Sequence, residues 1–308
     1  MENHYDTIIL GGGPAGLTAG IYLSRAKLKT LIINEGTIGG QMILTHEIAN
    51  YPGVEKTSGY LLARTMQKQA ESFGSTILSN KTVRSFVLDG ALKEVMLDDG
   101  MRYTAQSIIF AQGGRSRTLG VPGEEELKGK GISYCATCDG DFFTGKEIIV
   151  VGGGNSALEE AVSLTKYAKK VTIVHKLGQF DAHKHAIEEA EQHPKVDFLM
   201  KSAVVAFHGA EKLESVDIKN LETNEVVNRK TDGVFIFIGY IPNTETLMGV
   251  LDLNQAGEIM VGAEMETSLP GVFAAGDSTQ KRYRQITTAV ADGTIAALAA
   301  ADYVERIK

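Results

Sequence analysis

Cys135 and Cys138 are the only cysteines among 308 residues, and they stand two residues apart in Tyr134-Cys135-Ala136-Thr137-Cys138-Asp139-Gly140. Two thiols at this spacing can close a small disulfide ring, which opens and re-forms by thiolate attack on sulfur. Asp139, directly after the second cysteine, can take up or give the proton that such chemistry needs. A structural metal or iron–sulfur site would need about four ligands. No second cysteine pair exists, and His175, His183, His185 and His193 lie far along the chain without ligand spacing to the cysteines. Ligand count therefore favours a redox dithiol over a metal site.

The elements that must position this pair come in two copies. The first opens with a short apolar strand, Asp6-Thr7-Ile8-Ile9-Leu10, running into Gly11-Gly12-Gly13-Pro14-Ala15-Gly16. Leu17, Ala19, Gly20, Ile21 and Leu23 then read as a helix, and a second strand, Thr30-Leu31-Ile32-Ile33, ends at Asn34-Glu35. Strand, G-x-G-x-x-G, helix, strand and acid in register make the dinucleotide fingerprint. Its glycines let the backbone approach a pyrophosphate at the helix N-terminus. Glu35 would bond the hydroxyls of an adenosine ribose.

The second copy follows the cysteines: a strand over Lys146–Val151, the turn Gly152-Gly153-Gly154-Asn155-Ser156-Ala157, a helix over Leu158–Lys166, and a strand over Val171–Val174 ending at His175-Lys176. Ala157 at the third glycine position is one the fingerprint allows. Applying to Gly152 the offset that separates Glu35 from Gly11 lands on Lys176. An acid there would mean NADH, whereas a base can pair the 2′-phosphate of NADPH. One lysine, followed by Leu177 and then Asp181, is a poor phosphate clamp beside the bidentate fork of arginine. This copy supports the fold of a nicotinamide domain better than its ligand.

The bulk numbers suit such a protein. The length allows two domains, and 43% hydrophobic with 22% charged residues is ordinary for a soluble chain. The 34 glycines against 6 prolines fit many tight strand-to-helix turns. No apolar run reaches the roughly 18 residues of a membrane span, and Met-Glu-Asn-His-Tyr-Asp leads straight into a strand without a signal peptide. A cytoplasmic setting is expected, where a catalytic disulfide is at home and a structural one is not. A net charge of −7 argues against nucleic-acid binding.

Between the glycine turns, Gly39-Gly40-Gln41-Met42 permits close approach to a flat ligand or is a plain surface loop. Leu61, Leu62, Met66 and Ala70 predict a helix over 59–73. Period-two alternation over 76–104, with a turn at Asp98-Asp99-Gly100, predicts a small antiparallel sheet, after which 107–114 returns to the first sheet as a buried strand. A charged run, Glu124-Glu125-Glu126-Leu127-Lys128, precedes the cysteines. Residues 196–229 again read as period-two strands turning at Glu222-Thr223-Asn224, and 232–239 as the buried strand that closes the second fold. A β stretch to Val261, a strand ending at Gly276-Asp277 and an alanine-rich helix over 287–303 complete the first fold if they rejoin it. The expected fold is α/β, with two Rossmann-like dinucleotide-binding domains of three-layer ββα type, the second inserted in the first. The boundaries are 1–117 and 245–308 for the first domain and 118–244 for the second.

Taken together, these residues resemble the low-molecular-weight flavin thioredoxin reductases across essentially the whole chain. The matching segments are GGGPAG at 11–16, GGQ at 39–41, CATCDG at 135–140, GGGNSALEEA at 152–161, PGVFAAGD at 270–277 and RQ at 284–285. CATCDG is the most specific, because the related peroxide-reductase flavoproteins carry a different pair between their cysteines and usually an extra N-terminal redox region. The resemblance implies FAD in the first domain, held by Gly11, Gly13, Pro14, Ala15, Gly16, Glu35, Gly40, Gln41, Asn50, Gly113, Gly276, Asp277, Arg284, Gln285 and Ile286. It implies that Cys138 faces the flavin, that Cys135 attacks the disulfide of thioredoxin, and that Asp139 is the acid/base. It further implies a homodimer and a large rotation of the second domain between flavin and protein substrate.

The chain departs from the family at its input end. NADPH-using members carry a histidine, two arginines and a third arginine four residues later, where this chain has His175, Lys176, Leu177 and Asp181. A ferredoxin-linked group that does not use pyridine nucleotides also lacks this clamp. Reduced ferredoxin is therefore the expected donor, with NADPH through Lys176 and Lys184, and then NADH, as alternatives. Arg115, Arg117, Lys128 and Lys130 could offer an acidic partner a basic patch, or be an ordinary solvated surface. Ala111-Gln112-Gly113 replaces the family's usual Ala-Thr-Gly near the flavin. A non-catalytic flavin redox sensor is the remaining alternative, and it would be reduced once and stop.

Overall fold

Ile8, Ile9, Leu10, Leu31, Ile32, Ile33, Ile108, Ile109 and Phe110 are all essentially inaccessible to solvent. Runs of this kind have no polar face, so they can only form the middle layer of a sheet covered on both sides. The computed structural model describes residues 3–45 and 47–308. Met1 and Glu2, part of the N-terminal reading above, and His46, in the polar stretch after Met42, lie outside the described residues. The chain forms two units, one from 1–115 and 241–308 and the other from 116–240. The crossings fall two and four residues before the boundaries expected from sequence.

In the first unit, strands Thr76–Ser79, Thr30–Asn34, His4–Leu10 and Arg102–Phe110 lie side by side. The pairing is parallel throughout. Alternate residues separate the two faces. Ile9, Ile32, Ile109 and Phe273 pack under the helices Pro14–Arg25, Gly59–Phe73 and Ile286–Ile307. Ile8, Leu10, Leu31, Ile33, Ile108 and Phe110 face the other way and cluster with Val95, Leu97, Leu247 and Leu251.

Two expectations are corrected here. Thr76–Ser79 belongs to the parallel sheet, not to an antiparallel one. The remainder of that stretch is no separate sheet either, because Arg102–Phe110 is one continuous strand. Along one edge, its first half pairs antiparallel with Lys93–Leu97, and its last three residues pair parallel with Val272–Ala274. That last pairing returns the C-terminal segment to the first fold, as expected. The stretch to Val261 forms only isolated bridges. The final helix is longer than the alanine-rich run, spanning 22 residues. Ser58 caps the 59–73 helix, and Leu62, Met66 and Ala70 are buried on it. Leu61, expected on the same face, is 57% exposed.

In the second unit, strands Val196–Leu199, Lys170–Val174, Glu147–Val151, Gly233–Ile236 and Ile132–Ser133 form a parallel sheet in that order. Ile148, Val150, Val171, Ile173 and Phe235 pack beneath the helices Asn155–Leu164 and Lys184–Gln192. Ile149, Val151, Val174, Val234 and Ile236 meet Val204, Phe207, Val216 and Ile218 of a three-stranded antiparallel sheet, giving the ββα layering. Val196–Leu199, the first of the period-two stretch 196–229, pairs parallel with Val171–Val174. The helix after the second glycine turn starts at Asn155 and stops at Leu164, earlier at both ends than its apolar pattern predicts. Among the described residues no helix is long and apolar enough to cross a membrane.

Candidate active site

The short strand Ile132–Ser133 delivers the chain to Cys135, which caps one helical turn, Ala136–Asp139. Cys135 and Cys138 are disulfide-bonded, with Cα atoms 5.3 Å apart, inside the range such a bridge needs. The Cys138 amide donates to Cys135 Sγ at 3.2 Å. Once the bridge is open, that donor favours the thiolate of Cys135, the nucleophilic form. Asp139 is half-buried and accepts from the Ser133 hydroxyl at 2.6 Å. Burial raises its carboxyl above the usual range, the Ser133 hydrogen bond opposes the shift, and the Asp141 charge adds to it. A carboxyl so placed keeps its proton to higher pH than an exposed one and can serve as an acid.

The turn is anchored on its N-terminal side by a contact that the sequence does not signal. Glu124, read as part of a charged run, is 3% exposed. It accepts from the Leu119 and Gly120 amides at 3.0 and 2.7 Å and from the Tyr134 hydroxyl at 2.7 Å. Burial and the hydrogen bond to Glu124 push the Tyr134 phenol far above its ordinary range. The residue next to Cys135 is thereby tied to the loop 119–124. Of the four basic residues considered as a patch, Arg115 bonds Asn243 and Glu245, and Lys128 lies over the Tyr134 ring.

In the first unit the opening glycine turn is shaped by close backbone approach. A Cβ at Gly11, where φ is +116°, would fall 2.2 Å from the Ala111 carbonyl oxygen, and one at Gly16 would fall 1.9 Å from the Gly11 oxygen. Gly13 meets only Gly40 Cα, at 3.9 Å, so the space before Pro14 is open. Asn34, which the sequence reading passed over, accepts from the Gly12 amide at 2.8 Å, and the Gly39 amide donates to the Gly12 oxygen. These bonds hold the turn against the Gly40–Leu44 helical turn that carries Gln41. Gly16→Ala should destabilise this unit by about 2–3 kcal/mol, because the clash is with backbone. Thermal denaturation checks this, and an unchanged transition would mean that the turn relaxes freely.

The other expected residues of this unit have these surroundings. Glu35 follows the second strand, exposed, and accepts from Thr82 at 3.3 Å. Asn50 and Gln285, 235 residues apart, meet at 3.4 Å. Gln285 caps the helix that starts at Ile286, through a capping box with Thr288. Gly276 packs against Ala15, as does Gly293 of the last helix. Asp292 accepts from the Gly276 amide and from Lys281, while Arg284 pairs with Glu258. Asp277 Oδ1 is buried without a hydrogen-bond partner. Burial raises its carboxyl, against the pull of Lys281 and Arg284. Gly113 has a left-handed φ of +58°, with open space where a side chain would stand.

The second glycine turn is equally tight. A Cβ at Gly152 would meet the Phe237 oxygen at 2.3 Å, and one at Gly153 would meet the His175 ring at 2.2 Å. His175 is buried, bonds the Gln179 oxygen through Nε2 and stacks on Phe180. Burial lowers its pKa, while Lys176 and Asp181 act on it with opposite signs. The Asp181 amide donates to the Gly153 oxygen, and the His183 amide donates to Asn155 Oδ1 at 2.7 Å. The segment between the strand and the helix Lys184–Gln192 is thus fastened to the turn. It carries Lys176 and Asp181, and Leu177 between them is 49% exposed.

Comparison with known proteins agrees with this geometry. The family model for pyridine nucleotide-disulphide oxidoreductases matches residues 5–293. Thioredoxin reductase of Peptoclostridium acidaminophilum is 47% identical, over 99% of this chain and 98% of its own. That of Bacillus subtilis strain 168 is 44% identical, over 100% and 97%. The crystal structure of thioredoxin reductase from Streptococcus pyogenes superposes with a TM-score of 0.95 at 43% identity, covering 99% of this chain and all of that one. The chain belongs to the pyridine nucleotide-disulphide oxidoreductases, as an enzyme of the low-molecular-weight thioredoxin reductase type.

Proposed function

We propose that this enzyme reduces the disulfide of thioredoxin through Cys135 and Cys138, drawing its electrons from reduced ferredoxin. The observation that supports the output end is the Cys135–Cys138 disulfide with the half-buried carboxyl of Asp139 beside it. Cys135 is the attacking sulfur, favoured by the Cys138 amide. Cys138 is the sulfur on the flavin side, and Asp139 carries the proton. Enzymes of this type use FAD, and the first unit fits it. The open space at Gly13 and Gly113 leaves room for a ligand, and the orphaned Asp277 Oδ1 awaits a donor. Gly11, Gly13, Pro14, Ala15 and Gly16 would hold its pyrophosphate and Glu35 its ribose. Gly40, Gln41, Asn50, Gly113, Gly276, Asp277, Arg284, Gln285 and Ile286 would line the rest. When bound, FAD supplies the electron pair that opens the disulfide. A homodimer in the cytoplasm completes the proposal, on the family resemblance.

For the donor, the supporting observation is that the segment after the strand Lys170–Val174 carries one lysine, Lys176, with Leu177 beside it and an opposite charge at Asp181. A 2′-phosphate finds no fork of arginines there. The intact Gly152–Ala157 turn favours a second reading, in which NADPH or NADH still binds. Anaerobic mixing of the yellow protein with each donor, with thioredoxin present, decides between them. Ferredoxin should bleach the flavin and sustain turnover, whereas rapid bleaching by micromolar NADPH would sink the ferredoxin reading. Restoring arginine at 176, 177 and 181 should raise the NADPH-driven rate about tenfold or more, since each charge-assisted contact contributes about 1.5–3 kcal/mol. The Asp181 bond to the turn is made by backbone, so the substitution leaves it in place.

A further inference from the structure

Ser133 has no part in the fingerprint or in the expected site, yet its hydroxyl makes three polar contacts beside the disulfide. It is 5% exposed, at the end of the strand Ile132–Ser133. Its oxygen lies 2.6 Å from Asp139 Oδ2, 3.1 Å from the Cys135 amide nitrogen and 3.3 Å from the Cys135 carbonyl oxygen. A serine hydroxyl has one proton and two lone pairs. The proton goes to the shorter and charge-capable contact, Asp139, and a lone pair accepts from the Cys135 amide. Neither bond depends on the sulfurs being joined, so both can persist when the bridge opens.

We propose that Ser133 is a positioning residue for the disulfide exchange, holding the carboxyl of Asp139 and the backbone of Cys135 in one frame so that acid and nucleophile stay in register through the cycle. This rests on the acid/base reading of Asp139. In the exchange, the Cys135 thiolate attacks one sulfur of the substrate disulfide. A Cys135–sulfur bond forms, the substrate S–S bond breaks, and the released thiolate takes the proton of the Asp139 carboxyl. The Asp139 carboxylate then takes the Cys138 proton. Cys138 attacks Cys135, the mixed disulfide breaks, and the second substrate sulfur leaves with that proton. The cysteine pair has lost two electrons and one proton, Asp139 has given the second proton and ends as a carboxylate, and the substrate has become two thiols. Asp139 must face both departing sulfurs in turn, and a carboxyl held by one fixed hydroxyl can do so without a search.

The same hydroxyl tunes the acid. Its hydrogen bond favours the charged carboxylate, against burial. Asp141, on the following turn, is the charge that acts on Asp139, and it pushes the same way as burial. The helix Asn155–Leu164 packs on this turn and carries Glu159 and Glu160, whose charges act on one another. Tyr134, bonded to Glu124, precedes Cys135, and the Tyr167 ring lies against Gly140, next to Asp139; Cys135 and Cys138 titrate once reduced. Removing the Ser133 hydroxyl therefore moves the carboxyl pKa further up, and the alkaline limb of the exchange, where the acid loses its proton, moves up with it.

The test is a pH series on four full-length proteins: wild type, Ser133→Ala, Asp139→Asn and the double variant. Two quantities are read, the thioredoxin-reduction rate and the pH at which Cys135 of the reduced protein becomes alkylated by iodoacetamide. Ser133→Ala should lower the rate about tenfold at neutral pH and shift both midpoints by half a unit or more. In the Asp139→Asn background it should shift neither, and Ser133→Thr, which keeps the hydroxyl, should restore the wild-type profile. If Asp139→Asn leaves the pH profile intact, the acid/base reading itself fails. If Asp139→Asn removes the limb but Ser133→Ala moves nothing, or moves it equally in both backgrounds, the Ser133 proposal is overturned. Far-ultraviolet circular dichroism identifies a variant that fails to fold, and Ser133→Cys, similar in size but a weak donor, then takes its place.

Discussion

Replacing Cys135 with serine should reduce thioredoxin turnover by at least about a thousandfold, the scale seen when a catalytic nucleophile is removed, while the flavin still bleaches with its donor. The fold should tolerate the change. The Cys138 amide that donates to Cys135 Sγ can donate to a serine oxygen, a good helix cap in its own right. The chemistry should not tolerate it, because a hydroxyl is not ionised at neutral pH and cannot form the mixed disulfide. Cys138→Ser makes the complementary case. It leaves the attacking sulfur but removes the one that resolves the intermediate, so a covalent adduct through Cys135 should accumulate and be visible by mass spectrometry. If the adduct forms with the Cys135→Ser protein instead, the roles of the two sulfurs are reversed.

Asp277→Asn should change flavin retention and protein stability in opposite directions. The carboxyl is buried, and its Oδ1 has no hydrogen-bond partner. Its cationic neighbours, Lys281 and Arg284, are already paired with Asp292 and Glu258. Burial penalises the charged form of this carboxyl, so a neutral amide should stabilise the flavin-free protein wherever the carboxyl would be ionised. The sign with pH follows from the raised carboxyl. A group whose folded pKa lies above its unfolded value stabilises the fold below the unfolded pKa, and that contribution is lost as pH rises through the folded one. The flavin-free wild type should therefore lose stability over that interval, and the asparagine variant should not. Flavin affinity should fall about tenfold or more, since an amide is a weaker acceptor than a carboxylate. Urea titration of flavin-free protein at several pH values, with flavin fluorescence for affinity, reads both effects. A variant that is less stable at every pH would show that the carboxylate has a structural role of its own.

The parts of the fold and site that could be read from sequence are those where periodicity and spacing carry the physics. Leu62, Met66 and Ala70 mark a buried stripe, and the helix Gly59–Phe73 follows it. Leu61 broke the pattern because apolar residues on a helix also occur on its exposed face. Thr76–Ser79 misled because alternation reports a half-covered strand and says nothing of its neighbour's direction. The helix Lys184–Gln192 buries only Ala186 and Ala190, too little apolar surface to stand out among charges. At the site, the two cysteines and the glycine turns belong to local patterns. Asn34, Glu124 and Ser133 do not. Each acts through a hydrogen bond to a residue brought near by folding, and a single polar side chain carries no trace of such a partner.

The two-part pairing along one edge of Arg102–Phe110 also bears on the order in which the molecule is assembled. Its last three residues find their partner only in Val272–Ala274, after the whole second unit has been made. During synthesis the inserted unit is contiguous and can fold as soon as it emerges, whereas the first must keep one edge of its central strand waiting. Domains generally fold as units from the N-terminus, but here the earlier-begun unit finishes last. Pairing across so long a separation is slow. The edge at Ile108–Phe110 thus waits for its partner until the inserted unit has been synthesised.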